Sequence, residues 1–451
     1  MFLIPGLVIV MYITKTPFPP GYANELIHYL KTRANVIDGG TVHVPYVKYI
    51  GWGIHIEGES TVFGTSLNYT ALRLLGTLYL MFIHCALGVA ADEPFMIKAR
   101  NTLWKLGGAT GVPSWGKFWL SVLNVYDWEG THPIPPELWL LPYALPIHPG
   151  RLWCHTRAVY LPMCYLYGLK YTAPLDETIL ALRQELYPVD YDSIIWSDQK
   201  DNVSYVDSYC PISALLGTLN KALQLYESLP GSLVRKIALK EVSRQILMED
   251  SNTDCLDIGP VNKVMIMLIA WLEEGPESER FVKHVERNRD FMWMSFDGMM
   301  MNGTNGSQLW DTAFVVQSIL SGKLGTEPES LPILEKCLQF LDKSQMVENP
   351  KYWKESYRHS SKGAWPFSTR EQGYTVSDCT AEALKAVLLL QNGPFSSAKR
   401  ISDERIFDAI NILLSLQNSN GGFASYELQR GPEWLELLNP AQVFGTFLWH
   451  L

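Results

Sequence analysis

The stretch Val376-Ser377-Asp378-Cys379-Thr380-Ala381-Glu382 decides how the rest of the chain is read. It follows a turn at Gly373 and opens the run Ala383 to Leu390, whose apolar density is that of a buried helix. Asp378 therefore belongs at or just before a first helical turn, with a thiol beside it and a carboxylate four residues on. Thr380 and Glu382 have the chemistry to tie up free amides at such a helix start. The positive end of a helix stabilises a carboxylate and makes the acid more willing to release its proton, as a strong general acid requires. Taken alone, the same residues also describe a capping aspartate followed by a small core thiol.

Composition narrows the field. At 451 residues the chain exceeds one ordinary domain, so two domains sharing a large core are expected. Only 18% of residues are charged and 47% are hydrophobic, which suggests an apolar cavity or a membrane-facing patch. Lys plus Arg number 37 against 46 Asp plus Glu, a net −9, with no basic stripe carrying interleaved aromatics; nucleic acid is not an expected partner. Seven dispersed cysteines without a Cys-x-x-Cys pair fit a reducing compartment and no disulfide framework. Phe2 to Thr14 is apolar but short, lacks a basic flank and runs into Pro17, Pro19 and Pro20, so it reads as neither signal peptide nor spanning helix. Leu138 to Pro149 and Ala158 to Leu169 are the candidates for lying on a bilayer.

The pattern from about Asn68 to Leu272 is helical, with no sustained alternation that would make a sheet. Ile212, Leu215, Leu216, Leu219, Leu223 and Tyr226 fall on one face of a helix, and Val264 to Leu272 is apolar all round, as in a fully buried one. Helical hairpins in series, joined by Pro- and Gly-marked loops such as Leu229-Pro230-Gly231, predict an all-α fold of the α/α toroid type. A weak repeat accompanies it. Gln417 to Phe423 follows the helix Ile406 to Leu416, whose start is marked by Ser402, Asp403 and Glu404. Gln345 with Gly363 and Trp365 is a stretched second copy, and Asp38-Gly39-Gly40 with Trp52 an interrupted third.

The motif Val376 to Glu382 resembles the signature of the oxidosqualene cyclases, the class II triterpene cyclases that make sterol precursors. Gly303-Thr304-Asn305-Gly306-Ser307-Gln308-Leu309-Trp310-Asp311-Thr312, Pro113 to Trp119 and Trp153-Cys154-His155 resemble stretches of the same family in the same order. The resemblance implies a double α-barrel. A lead-in over 1–20 would precede a first barrel over 21–300, and the start of a second, catalytic barrel would occupy 301–445. It also marks departures: apparent insertions near 41–50 and 77–87, each beginning with Thr after Gly like read-through at a splice donor, and a tail, 446–451, that matches nothing in the family. Family members begin upstream of Met1 and continue beyond Gly445, so a truncated form is expected.

Chemistry follows from the resemblance too. Asp378 would protonate the epoxide of (S)-2,3-oxidosqualene, Cys379 would hydrogen-bond its carboxyl, and Glu382 would belong to a polar network behind it. Trp310, Phe367 and Trp115 match aromatic positions of the cyclisation cavity, where ring faces stabilise cations without attacking them. Trp153 and His155 match a pair placed near the end of the cyclisation, for deprotonation or orientation, and Tyr160 matches a residue near the channel constriction. The Gln…Gly-x-Trp repeats would staple neighbouring helices. No cofactor or metal is implied: there is no paired His/Cys spacing and no Asp-rich diphosphate motif. The expected product is lanosterol or a related protosterol. The expected setting is monotopic contact with the endoplasmic reticulum membrane or a lipid droplet on the cytosolic side. This truncated form is itself expected to be poorly active or inactive, since without a second barrel half the cavity would admit water; the alternative is a non-catalytic fragment or toroid scaffold that at most binds the isoprenoid lipid.

Overall fold

A computed structural model describes residues 2–37, 49–83, 89–228, 232–395 and 400–443. Within them lie fifteen α-helices. Eleven belong to the first unit: α1 (Ile4–Ile13), α2 (Tyr22–Thr32), α3 (Val62–Ile83), α4 (Pro94–Lys105), α5 (Ser114–Val122), α6 (Cys154–Leu169), α7 (Glu177–Glu185), α8 (Ala214–Glu227), α9 (Ser232–Thr253), α10 (Pro260–Glu274) and α11 (Glu279–Arg287). Four follow: α12 (Gln308–Ser321), α13 (Leu331–Ser344), α14 (Ser377–Gln391) and α15 (Asp403–Ser415). The architecture is the α/α toroid type. Two short antiparallel pairs, β1 (Asn35–Ile37) with β2 (Tyr49–Gly51) and β3 (Met292–Ser295) with β4 (Gly298–Met301), were not expected from the sequence. Nor is the chain helical throughout from Asn68 to Leu272: 124–153 and 187–213 hold only short 3₁₀ turns. Proline and glycine punctuation there removes backbone donors and breaks the helical ladder. Asp38 to Gly40, most of 41–50, the later part of 77–87, Leu229 to Gly231 and 446–451 lie outside the described residues.

Two cores organise these helices. The first joins α1–α7, α9–α11 and both strands of the β3–β4 hairpin; the second is built from α12–α15. The apolar N-terminal segment is explained by its place: every residue of α1 is buried, against α3 and α10. Gly6 is required in it, because a Cβ there would meet the Trp119 ring at 2.8 Å. α10 is buried from Val264 to Ala270, as its uniform apolarity predicts.

Elsewhere apolar faces point outward. Leu215 and Leu219, on the apolar face that the spacing predicts for α8, are 47% and 37% exposed. In α14, Leu388 and Leu389 are exposed and border an open groove of about 580 Å³ that Leu413 of α15 closes on its far side. Of the two bilayer candidates, Leu138 to Pro149 presents Leu140, Tyr143, Leu145 and Ile147 at the surface, whereas Ala158 to Leu169 is mostly the buried body of α6. Among the described residues no helix is long and apolar enough to cross a membrane.

The repeat has a physical basis in hydrogen bonds. The Trp365 indole donates to the Leu341 carbonyl in the last turn of α13 (2.8 Å), and its backbone amide donates to the Thr380 hydroxyl (3.0 Å), on the fourth residue of α14. Trp52 does the same in the first unit: its indole bonds the Leu30 carbonyl near the end of α2 (2.8 Å), its amide the Thr65 hydroxyl (3.2 Å), on the fourth residue of α3. Both indoles are fully buried. Gln345 reaches the carbonyls of Gly363 and Arg405 (2.9 and 3.0 Å), stapling the end of α13 to the start of α15. In the remaining copy the Gln417 side chain donates to the Gly421 carbonyl (3.1 Å), and Phe423 is exposed.

The turn from α9 to α10 positions the seam between the cores. Asp254, Cys255 and Asp257 all adopt positive φ (55°, 58° and 66°), a costly conformation for non-glycine residues. A buried polar cluster holds Cys255 there. The Lys263 ammonium donates to the Cys255 carbonyl (2.7 Å) and meets His284 Nδ1 (2.6 Å); His284 Nε2 faces Asp250 Oδ1 (3.1 Å), and Arg280 donates to the other Asp250 oxygen (2.6 Å). Burial, then the Lys263 charge, push His284 down to about 4 from an ordinary 6.5, against the pull of Asp250. A base with a depressed folded pKa takes up protons first in the unfolded chain. Its contribution is therefore intact above about 6.5 and lost as the pH falls towards 4. Between pH 7 and pH 5 His284 is expected to remove about 2 kcal/mol of stability. Urea unfolding of wild type and His284→Gln at both pH values checks this, the variant lacking that increment.

Candidate active site

Gly373 sets the approach to α14. It adopts φ +67°, and a Cβ there would lie 2.4 Å from the Asn252 carbonyl oxygen, so only glycine passes so close to the end of α9. Beyond it the Ser377 amide donates to the Ser425 carbonyl (2.8 Å), satisfying one open donor of the helix start. Asp378 is the second residue of α14 and is exposed; its carboxylate accepts from the Cys379 amide at 2.8 Å. The Cys379 side chain is fully buried. Burial first, then the Asp378 charge and a hydrogen bond to that carboxylate, push its thiol far above the usual range, so it stays protonated and donates to Asp378. One turn on, Glu382 accepts from Gln317 of α12 at 2.7 Å and pairs with Lys385 at 3.8 Å.

Trp310 and Phe367 are brought together beside this helix start. Their rings lie 6.2 Å apart, the Trp310 amide donates to the Phe367 carbonyl (3.3 Å), and both pack on the core that holds Cys379. Trp153 and His155, at the start of α6, lie in a separate small cluster with rings 4.2 Å apart. Tyr426 joins the two groups. It packs against both clusters, its ring meets His155 edge-on at 4.8 Å, and burial first, then its nearness to Cys154, Cys379 and Asp378, pushes its phenol well above the usual range. The sequence offered one signal for it, an aromatic four residues after Gly422, but the pattern stopped at Phe423. Trp115 and Tyr160 are not part of this group in their observed contacts. Trp115 stacks between Phe118 and Phe2 in the first core, and Tyr160 donates to the Pro135 carbonyl at 2.7 Å.

Buried charge holds the segment carrying Tyr426. Arg157 of α6 forms a bidentate pair with Glu427 (2.7 and 3.1 Å), and Arg430 adds a contact at 3.3 Å. Beneath it Arg358 lies 3.7 Å over the Tyr374 ring, while the Tyr374 hydroxyl donates to Glu249 (3.0 Å). The cleft these residues border with His359 and Tyr426 is too narrow for water.

Asp250, Cys255 and His284 bring ligand-type atoms within 4.8 Å of one another. Their surroundings favour an ion-pair network over a metal. Lys263 occupies Nδ1, which leaves the proton of a neutral imidazole on Nε2 facing Asp250, and Lys263 and Arg280 already supply positive charge.

Comparison with known proteins follows the same outline. Residues 48–295 match the family model for the squalene-hopene cyclase N-terminal domain, and residues 306–442 the model for its C-terminal domain. The chain is 53% identical over 449 residues to a lanosterol synthase of Pneumocystis carinii, covering 99% of this chain and 59% of that protein. It is 48% identical over 452 residues to a cycloartenol synthase of Dictyostelium discoideum (99% and 60%), and 45% identical over 448 residues to a lanosterol synthase of Homo sapiens (99% and 58%). The chain thus spans about three fifths of the length of these curated relatives.

The Arg157–Glu427 pair, 6% and 4% exposed, has a measurable consequence. Glu427→Gln leaves a buried guanidinium without its counter-charge and is expected to cost about 3–5 kcal/mol in urea unfolding. The apolar double variant Arg157→Met/Glu427→Leu is expected to recover most of that loss. A cost below about 1 kcal/mol for the single variant would mean that the pair does not hold the segment.

Proposed function

Since this chain belongs to the squalene-hopene and oxidosqualene cyclase family, we propose that its residues serve acid-started cyclisation of (S)-2,3-oxidosqualene to a protosterol such as lanosterol. The observation that carries this is the arrangement at α14: an acid at a helix start, a buried protonated thiol donating to it, and the Trp310 and Phe367 rings alongside.

Opening an epoxide requires protonating a very weak base. A thiol that donates to the carboxylate stabilises the charge left behind when Asp378 gives up its proton, and the helix end adds to this. The bond between the epoxide oxygen and the more substituted carbon then breaks. The chain's double bonds attack in turn, and each cation passes aromatic faces that attract it without bonding. In this reading Trp310 and Phe367, beside the start of α14, serve the early cations, and Trp153, His155 and Tyr426 serve the late ones. By resemblance alone, Trp115 is assigned to the cavity wall and Tyr160 to the channel constriction. The proposed units are a first barrel over 21–300 and the opening of a second over 301–445.

The exposure of Asp378 favours a second element of the proposal: in this chain by itself, water reaches the acid and the cation would be quenched. Joining to residue 443 the part of the Pneumocystis carinii lanosterol synthase that lies beyond its match is expected to give cyclised product from oxidosqualene. The unextended chain is expected to give none. Asp378→Asn in the extended protein should lower product formation about 10²–10⁴-fold, measured by mass spectrometry of the extracted lipids. Undiminished cyclisation by that variant would place the acid elsewhere.

The proposed substrate is dissolved in membranes, and the outward leucines of α8 together with Leu140, Tyr143, Leu145 and Ile147 supply an apolar surface for one leaflet, as at the endoplasmic reticulum or a lipid droplet. The chain is expected to sediment with phosphatidylcholine vesicles, and Leu215→Glu/Leu219→Glu to weaken that partitioning roughly tenfold or more. Equal partitioning of the two would remove α8 from the contact.

A further inference from the structure

Cys154 is fully buried at the first position of α6, and its sulfur lies 3.3 Å from Nδ1 of the next residue, His155. A hydrogen bond at that distance has two forms: S–H donating to an Nδ1 lone pair, or N–H donating to sulfur. Three observations choose between them. Burial, reinforced by the Glu427 charge, holds the thiol well above its ordinary pKa, so the sulfur keeps its hydrogen. The sulfur already accepts from the His155 backbone amide. Sulfur is also a much poorer acceptor than an imidazole nitrogen, so a buried S–H with one nitrogen in reach donates to it.

We propose that Cys154 is a positioning residue for His155: its thiol occupies Nδ1 and fixes the ring as the Nε2–H tautomer. Trp153, tilted by 30° against the ring at 4.2 Å, and Tyr426, edge-on at 4.8 Å, hold the ring plane, while the thiol sets which nitrogen carries the proton. The consequence deepens the cyclase reading and rests on it: the lone pair of His155 points at Cys154, away from any substrate. The imidazole then meets a late cation as a π face and an N–H dipole, orienting it. The phenol oxygen of Tyr426 is left as the lone-pair bearer among the three rings.

The test needs no turnover, so its failure is separable from a failure of the cyclase reading, which Asp378→Asn addresses. The full chain is labelled with ¹⁵N in its histidine rings, and the His155 signals are assigned by their loss in His155→Gln. Ring nitrogen shifts are recorded above the histidine titration range for wild type, Cys154→Ser and Cys154→Ala. Expected are a pyridine-type Nδ1 and a pyrrole-type Nε2 in wild type. Cys154→Ser, which keeps a donor, should retain them. In Cys154→Ala the tautomer ratio should move by about two- to tenfold, the effect of one hydrogen bond of ordinary net strength. A pyrrole-type Nδ1 in wild type, or an unchanged ratio in Cys154→Ala, would overturn the proposal. Should Cys154→Ala fail to fold, the wild-type spectrum and that of Cys154→Ser still decide it.

Discussion

A buried ion pair, Arg157 with Glu427, is the contact on which the arrangement of the site depends. It joins the first turn of α6 to an irregular segment more than two hundred residues later in the chain. Neither partner tolerates solitude in an apolar seam, because an unpaired buried charge costs several kcal/mol. The chain therefore has one low-energy way to close there, and Tyr426 is delivered between His155 and the start of α14 as a consequence. The bonds from Ser377 to Ser425 and from Arg151 to the Arg430 carbonyl fasten the same segment from either side.

The two units share one device and use it differently. In each, a buried tryptophan bonds the end of one helix through its indole and the fourth residue of the next through its amide. In the first unit the start of α3 is closed by the carboxylate of Asp207, which accepts from Val62 and Phe63 while burial lifts it to about 6. In the second unit the corresponding helix, α14, carries an acid of its own, open to solvent and backed by a thiol. A carboxylate at a helix start is thus buried and bonded to backbone amides in one unit and exposed to solvent in the other. Around that acid the outer faces of α14 and α15 carry exposed apolar side chains, Leu388, Leu389, Phe407, Ile410 and Leu414 among them.

Local chemistry made much of this legible in the sequence. The glycine turn, the helix start at Asp378, the neighbouring thiol, the cap of α15 at Ser402 and the uniform burial of α10 are all decided within a few residues of themselves. So is the Trp365 anchor, whose spacing survives a long loop. Partners that meet only through the fold were not legible. Arg157 and Glu427 are ordinary charged residues until α6 and the later segment come together, and Tyr426 gains meaning from two clusters far apart in sequence. Periodicity also gives the existence of an apolar face but not its direction. For that reason the run after Ala383 in α14 was expected to be buried, although Leu388 and Leu389 are exposed, and the short apolar N-terminal segment, a central strut of the first core, could not be placed at all.

The central claim is that Tyr426 bridges the His155 end of the seam to the Asp378 end. The most direct measurement is the nuclear Overhauser effect between ring protons of His155 and Tyr426 in a chain protonated only at histidine and tyrosine rings. With centroids 4.8 Å apart, a strong cross-peak is predicted, and it should vanish in Tyr426→Leu. A spectrum without that cross-peak, recorded on folded protein, would contradict the account.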